Sequence, residues 1–473
     1  MRKFAFPALF CALAALAAGT AVAIETSATV ANTSDVRPVP NAVQLERHAD
    51  GQEIIGIVHW GLNTFYDREW GNGDEDPARL DPSDFDADQI VRACKDGGIV
   101  ALTVVAKHHD GFCLWPTKTT GHNITKSPFR GGKGDYVREM CDACARAGVR
   151  FGVYCSPWDR NNAEYARPAY VKTFHEQVRE LTDGRYGRIF LMWFDGANGG
   201  TGWYGGANER RSIPVDYYRF DELIADVRAR QPGVGVFGGQ GRGDFRWPGN
   251  EQGLLCDESR ATTLPEPGDA YRAQRASGTP DGSVFRPAEA DFPLRKGWFY
   301  HDSERGRIRH SPYLMKIYLG VVGNAGSMEI GIAPDRRGRL DDEDVRALRG
   351  FSDLRRAFFA NEVTEDGKPF NVVVMREDIC GGEQVDGWEF VADGRTVLSG
   401  RSIGAKRIRT LPEPIAPKTC AVRITRRGPG HPFVSVRRYY VDPELEKLVR
   451  TAESTCGETD TARWMKAGRQ LQN

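Results

Sequence analysis

The stretch IFLMWFDGAN, residues 189–198, runs six uncharged residues into Asp195 and a glycine. A continuous apolar run of this kind suits a strand buried on both faces, as in a parallel sheet. Asp-Gly pairs often cap turns, so one carboxylate at a strand's end has a bland reading. On either side of it, seven more runs read as strands: IIGIVHW (54–60), IVALTVVAKHH (99–109), VRFGVYCSPW (149–158), GVGVFGG (233–239), GLLCDE (253–258), GWFYH (297–301) and SMEIGIAP (327–334). Amphipathic helical patterns separate several of them, at 85–94, 137–147, 170–181, 220–227 and 313–319. Strands alternating with helices predict an α/β fold with a parallel sheet, and eight of them predict a (β/α)8 TIM-like barrel over residues 51–358. Pro, Gly and Asp in 259–296 read as long loops of the kind that build sites.

After a helix at roughly 341–358 the pattern changes to alternating and β-branched runs split by turns, FNVVVMREDI, GWEFVADGRTVLSG, AKRIRTL, TCAVRITRR and FVSVRRYYV. These predict a C-terminal antiparallel β-sandwich over 359–443, followed by a charged tail over 444–473. At the other end, MRKFAFPALFCALAALAAGTAVA has a basic start, an apolar run and a small-residue finish. It reads as a signal peptide over 1–23, with a Thr-, Ser-, Pro- and Asn-rich arm over 24–50. The expectation is export, to the periplasm or the medium, with no membrane-spanning segment once the signal is gone.

Lys plus Arg equals Asp plus Glu, 64 against 64, so no net field favours nucleic acid or an anionic membrane. A neutral substrate is expected, and nothing in the pattern fixes an oligomeric state. The chain has 10 cysteines, and losing Cys11 with the signal leaves an odd number. Cys141 and Cys144 share one helical face with Val137 and Met140, which favours core packing over redox or zinc chemistry. Cys380 and Cys420 could pair, and sequence leaves that open.

The first four strands each finish in aromatic residues with His or a carboxylate. The first ends in His59 and Trp60, with Asn63, Glu69 and Trp70 following; the second in Lys107, His108, His109 and Asp110, then Phe112 and Trp115; the third in Tyr154, Trp158 and Asp159; the fourth in Trp193 and Asp195. One such residue is more often structural than functional. Four consecutive strand ends of this type shift the odds toward a site, because a barrel gathers its chemistry at the rim where strands end. Hydroxyl-binding groups interleaved with indoles suit a sugar. Sugar cleavage uses two carboxyls, which in retaining enzymes stand about 5 to 5.5 Å apart. Asp195 suits the nucleophile, on a rigid strand end beside Trp193. Glu251 or Glu258 would supply the acid/base, and Glu69 is a further pocket carboxyl. A metal site built from His59, His108, His109 and Asp110 is the rival, made awkward because extended neighbours point to opposite faces. No metal and no cofactor are expected.

Seven ordered motifs, VHWGLNTFYDREWGNG, VVAKHHDGFCLWPTKTTGHNI, GVYCSPWDRNNAEY, MWFDGANG, RWPGNEQG, KGWFYH and EIGIAPDRRGRLDDEDV, resemble the α-L-fucosidases of glycoside hydrolase family 29. The resemblance covers roughly residues 50–350. It implies a barrel that removes terminal fucose with retention through a covalent glycosyl-enzyme, acting on a fucosylated oligosaccharide or glycoconjugate. By motif it implies Asp195 as nucleophile and Glu251 as acid/base, with Glu258 second. RWPGNEQG is similar to the branch favouring α1,3- and α1,4-linked fucose. Sugar contacts carried over are His59, Glu69, Trp70, His108, His109, Tyr154 and Trp193, with Trp298 an aromatic wall and Arg242 or Arg246 within reach. IGIAPDRRG departs from the Asn-Ile-Gly-Pro type of many relatives. The alternatives are a fucose-binding protein on a catalytically degenerate barrel and a metal-dependent barrel hydrolase.

Overall fold

The computed structural model describes residues 22–30, 37–265 and 269–456. Most of the expected signal peptide and the tail beyond residue 456 lie outside them. Apart from two short hairpin-like pairs in the loops, Gly200–Gly202 with Glu209–Arg211 and Thr262–Thr263 with Val284–Phe285, the strands described before residue 333 are β1 (Ala23–Val30), β2 (Ile54–Val58), β3 (Ala101–Lys107), β4 (Arg150–Cys155), β5 (Leu191–Trp193), β6 (Gly235–Phe237), β7 (Glu289–Pro293) and β8 (Ser327–Ile332). Seven of them form one sheet in the order β7-β8-β2-β3-β4-β5-β6, every pair parallel. The gap between the edge strands is spanned by two residues: Phe245 bridges Phe237, and Arg246 bridges Ala288 beside β7.

Both faces of this sheet are buried, which is why its strands read as unbroken apolar runs. Side chains alternate between two cores, as period-2 geometry requires. Ile54, Val58, Leu102 and Val104 pack outward with the helices, while Ile55, Ile57, Ala101 and Val105 pack inward with Tyr154, Trp193, Phe237 and Trp298. Outside the sheet lie α1 (Ala87–Asp96), α2 (Tyr136–Ala147), α3 (Pro168–Thr182), α4 (Phe220–Arg230), α5 (Ser311–Val321) and α6 (Asp342–Phe358). The side chains of Asp86 and Asp135 cap α1 and α2 by accepting from backbone N–H groups of the first turn. Cys144 is buried on α2, and no disulfide joins any two of the described cysteines, so Cys380 and Cys420 are not paired with each other.

Two strand expectations are corrected. Residues 253–258 and 297–301 are irregular loops, and the strand near them is β7, within the segment read as loops. Its sequence, EADFP, carries two carboxylates and a proline, an unpromising composition for a buried strand. The carboxyls are tolerated because the fold brings partners to them. Glu289 accepts from Arg47 and Ser327, and Asp291 accepts from the Trp247 indole. Arg47 arrives from the segment read as an arm, on a short helix, Ala42–Arg47, opened by an Asn41 capping box.

The C-terminal part contains β9 (Phe370–Glu377), β10 (Val385–Ala392), β11 (Arg395–Gly400), β12 (Arg407–Ile415), β13 (Cys420–Arg427) and β14 (Val434–Tyr439). They form two sheets, β12-β9-β14 and β1-β13-β10-β11. Phe370, Val373 and Met375 from the first share a core with Trp388, Phe390, Val422 and Ile424 from the second. Pairing among these six is antiparallel, and β1 adds a parallel edge strand on β13. Buried arginines tie the sheets to the α/β part. Asp386 pairs with Arg37 and, at 2.9 Å, with Arg260, and Arg407 donates to the carbonyls of Asp257 and Ser259.

Candidate active site

Asp195 stands two residues past the end of β5. Its Oδ2 accepts from the Tyr154 hydroxyl at 2.8 Å and its Oδ1 from the backbone N–H of Ala197 at 2.6 Å. The Tyr154 ring stacks on Trp193, with centroids 5.1 Å apart, and Trp193 stacks on Phe237 at 4.4 Å. From the far side, the Trp193 indole donates to buried Glu329 at 3.0 Å. The orientation of the carboxylate is therefore set by rigid, packed groups on neighbouring strands.

β3 ends at Lys107, so His108 and His109 already lie in the turn beyond it. The expectation that they point apart is corrected for that reason: their ring centroids are 4.1 Å apart. His109 Nδ1 is 2.7 Å from Ser156 Oγ, and that hydroxyl donates to the carbonyl of Trp158. Ser156 must then accept from His109, which puts the proton on Nδ1 and leaves Nε2 as an acceptor facing Asp195 Oδ2 at 3.8 Å. Burial lowers the His109 pKa to about 4 despite the opposing charge of Asp195. Burial, and after it His109, lowers His59 to about 3, and burial holds His108 well below the usual histidine range. The three imidazoles are thus neutral near pH 7.

Trp70 meets His109 edge-on at 5.2 Å. His59 lies 5.9 Å from the Tyr154 ring and 4.9 Å from that of Trp298, and its Nδ1 is buried with no hydrogen-bond partner among the described residues. Trp298 in turn donates its indole N–H to Glu251 Oε2 at 3.3 Å. Asp195 and Glu251 are thereby linked through Tyr154, His59 and Trp298. Buried Asp291 senses both: burial, then the charges of Glu251 and Asp195, push its pKa well above the carboxylate range. Glu69 accepts from the backbone N–H groups of Trp298 at 2.8 Å and Phe299 at 3.1 Å, and faces His301 Nε2 at 2.7 Å.

Other candidates are placed elsewhere. Glu258 accepts from the backbone of Arg401 and Ser402 and pairs with Arg409, at the contact with the C-terminal sheets. Arg242 pairs with Asp216 and Asp221, while Arg246 donates to the carbonyls of Arg275 and Arg286 and to Ser259. Among the described residues no three His, Cys, Asp or Glu side chains converge as metal ligands. Sequence reading missed Ser156, Trp247, Asp291, Phe299 and His301. Trp247 and His301 lie inside motifs already singled out, but their partners are distant in the chain.

Carboxyls, neutral imidazoles and stacked indoles gathered at the strand ends of a parallel sheet define the class, an α/β protein with its candidate site at the rim where the strands finish. The chain belongs to the alpha-L-fucosidase family, whose model matches residues 63–355. It is 34% identical over 351 residues to a rice protein carrying that family name, covering 73% of this chain and 63% of the relative. It is 32% identical over 332 residues to alpha-L-fucosidase 1 of Arabidopsis thaliana, covering 69% of this chain and 62% of that one. The chain thus spans just under two thirds of these two relatives. Among solved structures it is similar to a glycoside hydrolase 29 family member from an unknown rumen bacterium, with TM-score 0.80, 34% identity, and 86% of this chain and 78% of that one covered.

Proposed function

We propose that this chain is a retaining, exo-acting alpha-L-fucosidase that hydrolyses terminal α-linked L-fucose, of the α1,3/1,4 type, from glycans. The observation that carries the reading is the aligned carboxylate of Asp195, joined through Tyr154, His59 and Trp298 to a second carboxyl, Glu251. Asp195 is the nucleophile. Its two hydrogen bonds occupy one lone pair on each oxygen, leaving the others for attack at the anomeric carbon. Glu251 first protonates the departing oxygen, then takes a proton from the water that releases fucose. His109 Nε2 and His59 Nδ1 engage sugar hydroxyls, and Trp70, Trp193 and Trp298 wall the pocket. The bridges through Phe245 and Arg246 support a closed barrel with a vestigial sixth strand. The basic and apolar opening of the sequence supports export.

Fucose release from α1,2-, α1,3-, α1,4- and α1,6-linked oligosaccharides tests the reading, with the α1,3 and α1,4 substrates expected to react fastest. Asp195→Ala is expected to lower kcat more than about a thousandfold. Glu251→Ala should regain turnover with azide on an activated fucoside, while Glu258→Gln keeps wild-type kcat. Near-normal turnover by Asp195→Ala would refute the assignment, and fucose binding by the wild type without release would favour a binding protein.

A further inference from the structure

His301 lies between two carboxylates. Its Nδ1 is 2.7 Å from Asp67 Oδ1 and its Nε2 is 2.7 Å from Glu69 Oε1. A neutral imidazole has one N–H and one bare lone pair, so either tautomer would turn a lone pair on a carboxylate oxygen. The imidazolium alone donates to both. The contacts beyond it lead into the candidate site. Glu69 also accepts from the backbone of Trp298 and Phe299, and a Cβ at Gly297 would fall 2.3 Å from its Oε1, so the loop approaches Glu69 as closely as glycine allows. Trp298 then reaches Glu251 and His59, and Phe299 packs edge-on against His59 at 5.4 Å and His108 at 5.0 Å.

We propose that His301 is a positioning residue of the sugar site: as a fixed imidazolium it pins Glu69, and Glu69 pins the backbone that presents Trp298 to Glu251. This rests on the fucosidase reading above for its catalytic consequence, though the charge state of His301 stands apart from it. The facing groups agree with a cation. Asp67 and Glu69 come from the segment after β2, Glu304 and Lys296 from the loop of His301 itself, and Arg336 from the loop after β8, where it pairs with Asp67 at 3.7 Å and Asp302 at 2.8 Å. Burial works against the charge, but the hydrogen bond and charge of Glu69, then the hydrogen bond to Asp67 and the charge of Glu304, outweigh it and raise the pKa to about 9. A histidine raised in this way from 6.5 gives stability that is complete below the lower value and lost as pH rises through the upper one. The clasp therefore opens on the alkaline side.

Nitrogen NMR of the full chain labelled in its nine histidines reads the charge directly. One ring should remain doubly protonated at pH 8 and titrate near 9, and that signal should vanish in His301→Gln. With an aryl α-L-fucoside, His301→Gln is expected to lose kcat/KM by about ten- to hundredfold at pH 7, through misplacement of Trp298. It should also lose the alkaline limb that His301 gives the wild type, and His301→Arg should recover part of the rate. Absence of a charged histidine at pH 8 would overturn the proposal, as would a His301→Gln profile matching the wild type. Should His301→Gln fail to fold, the wild-type spectrum still decides. A wild type that cleaves no fucoside would sink the hydrolytic reading alone, leaving the spectrum and fucose-induced tryptophan fluorescence to judge His301.

Discussion

The Tyr154 hydroxyl gives Asp195 one of its two hydrogen bonds. A bond from a neutral donor to a charged acceptor contributes about 1.5–3 kcal/mol, so Tyr154→Phe should lower kcat roughly ten- to hundredfold with KM little changed. An equal rise in KM would instead mark a ground-state contact. Asp110 makes a second prediction at this scale. Burial, and after it the charge of Glu75, raises its pKa from 3.8 to about 8. The folded chain then holds a proton that the unfolded chain releases, and stability from this group is full below the lower value and lost as pH climbs to the upper one. Melting temperatures of the wild type should fall relative to Asp110→Asn between those limits, whereas parallel curves would contradict the assignment. The candidate site was legible in sequence where a residue lies at or just past the end of its own strand, as Tyr154, His109 and Asp195 do. Glu69 and His301 were opaque as a pair, because their meeting depends on two loops 232 residues apart.

Among the elements, β8 shows how tightly the sheet supports the site. A Cβ on Gly331 would lie 2.7 Å from Trp298 ring carbons and 2.8 Å from Pro293 Cα, so side chain and strand both need a glycine there. Gly331→Ala is expected to cost about 1–3 kcal/mol of stability through overpacking. It should also lower kcat/KM about tenfold by displacing the indole. Denaturant titration and steady-state kinetics check the two effects, and an unchanged Trp298 emission spectrum would count against the mechanism. Helices such as α2 and α6 were readable because an apolar stripe repeats within a single segment. β7 escaped because its buried carboxyls depend on Arg47 and Trp247, which no local window contains. The residues beside it that fill the sheet's gap form bridges too short to leave any periodic trace.

At the scale of the molecule, Asp386 is buried between Arg37 and Arg260 and joins the chain's early segment, the α/β part and the C-terminal sheets. Removing one member of a buried ionic group strands the other charges, so Asp386→Ala should destabilise by about 3–5 kcal/mol. Because the pair spans both parts, scanning calorimetry should show both melting at lower temperature. Loss confined to one transition would mean that they unfold independently. The C-terminal sheets were foreseeable from alternation, whereas β1, in a stretch read as an arm, gains its place by pairing with residues almost 400 positions later. By itself the sequence determined what short-range chemistry encodes: strand and helix periods, the polar residues that end each strand, and the motifs that carry the family resemblance. Tertiary structure alone decided which carboxyls meet aromatic walls and which meet backbone amides, separating Glu251 from Glu258. Those environments are made by residues that chain connectivity keeps far apart and only packing brings within a few ångströms.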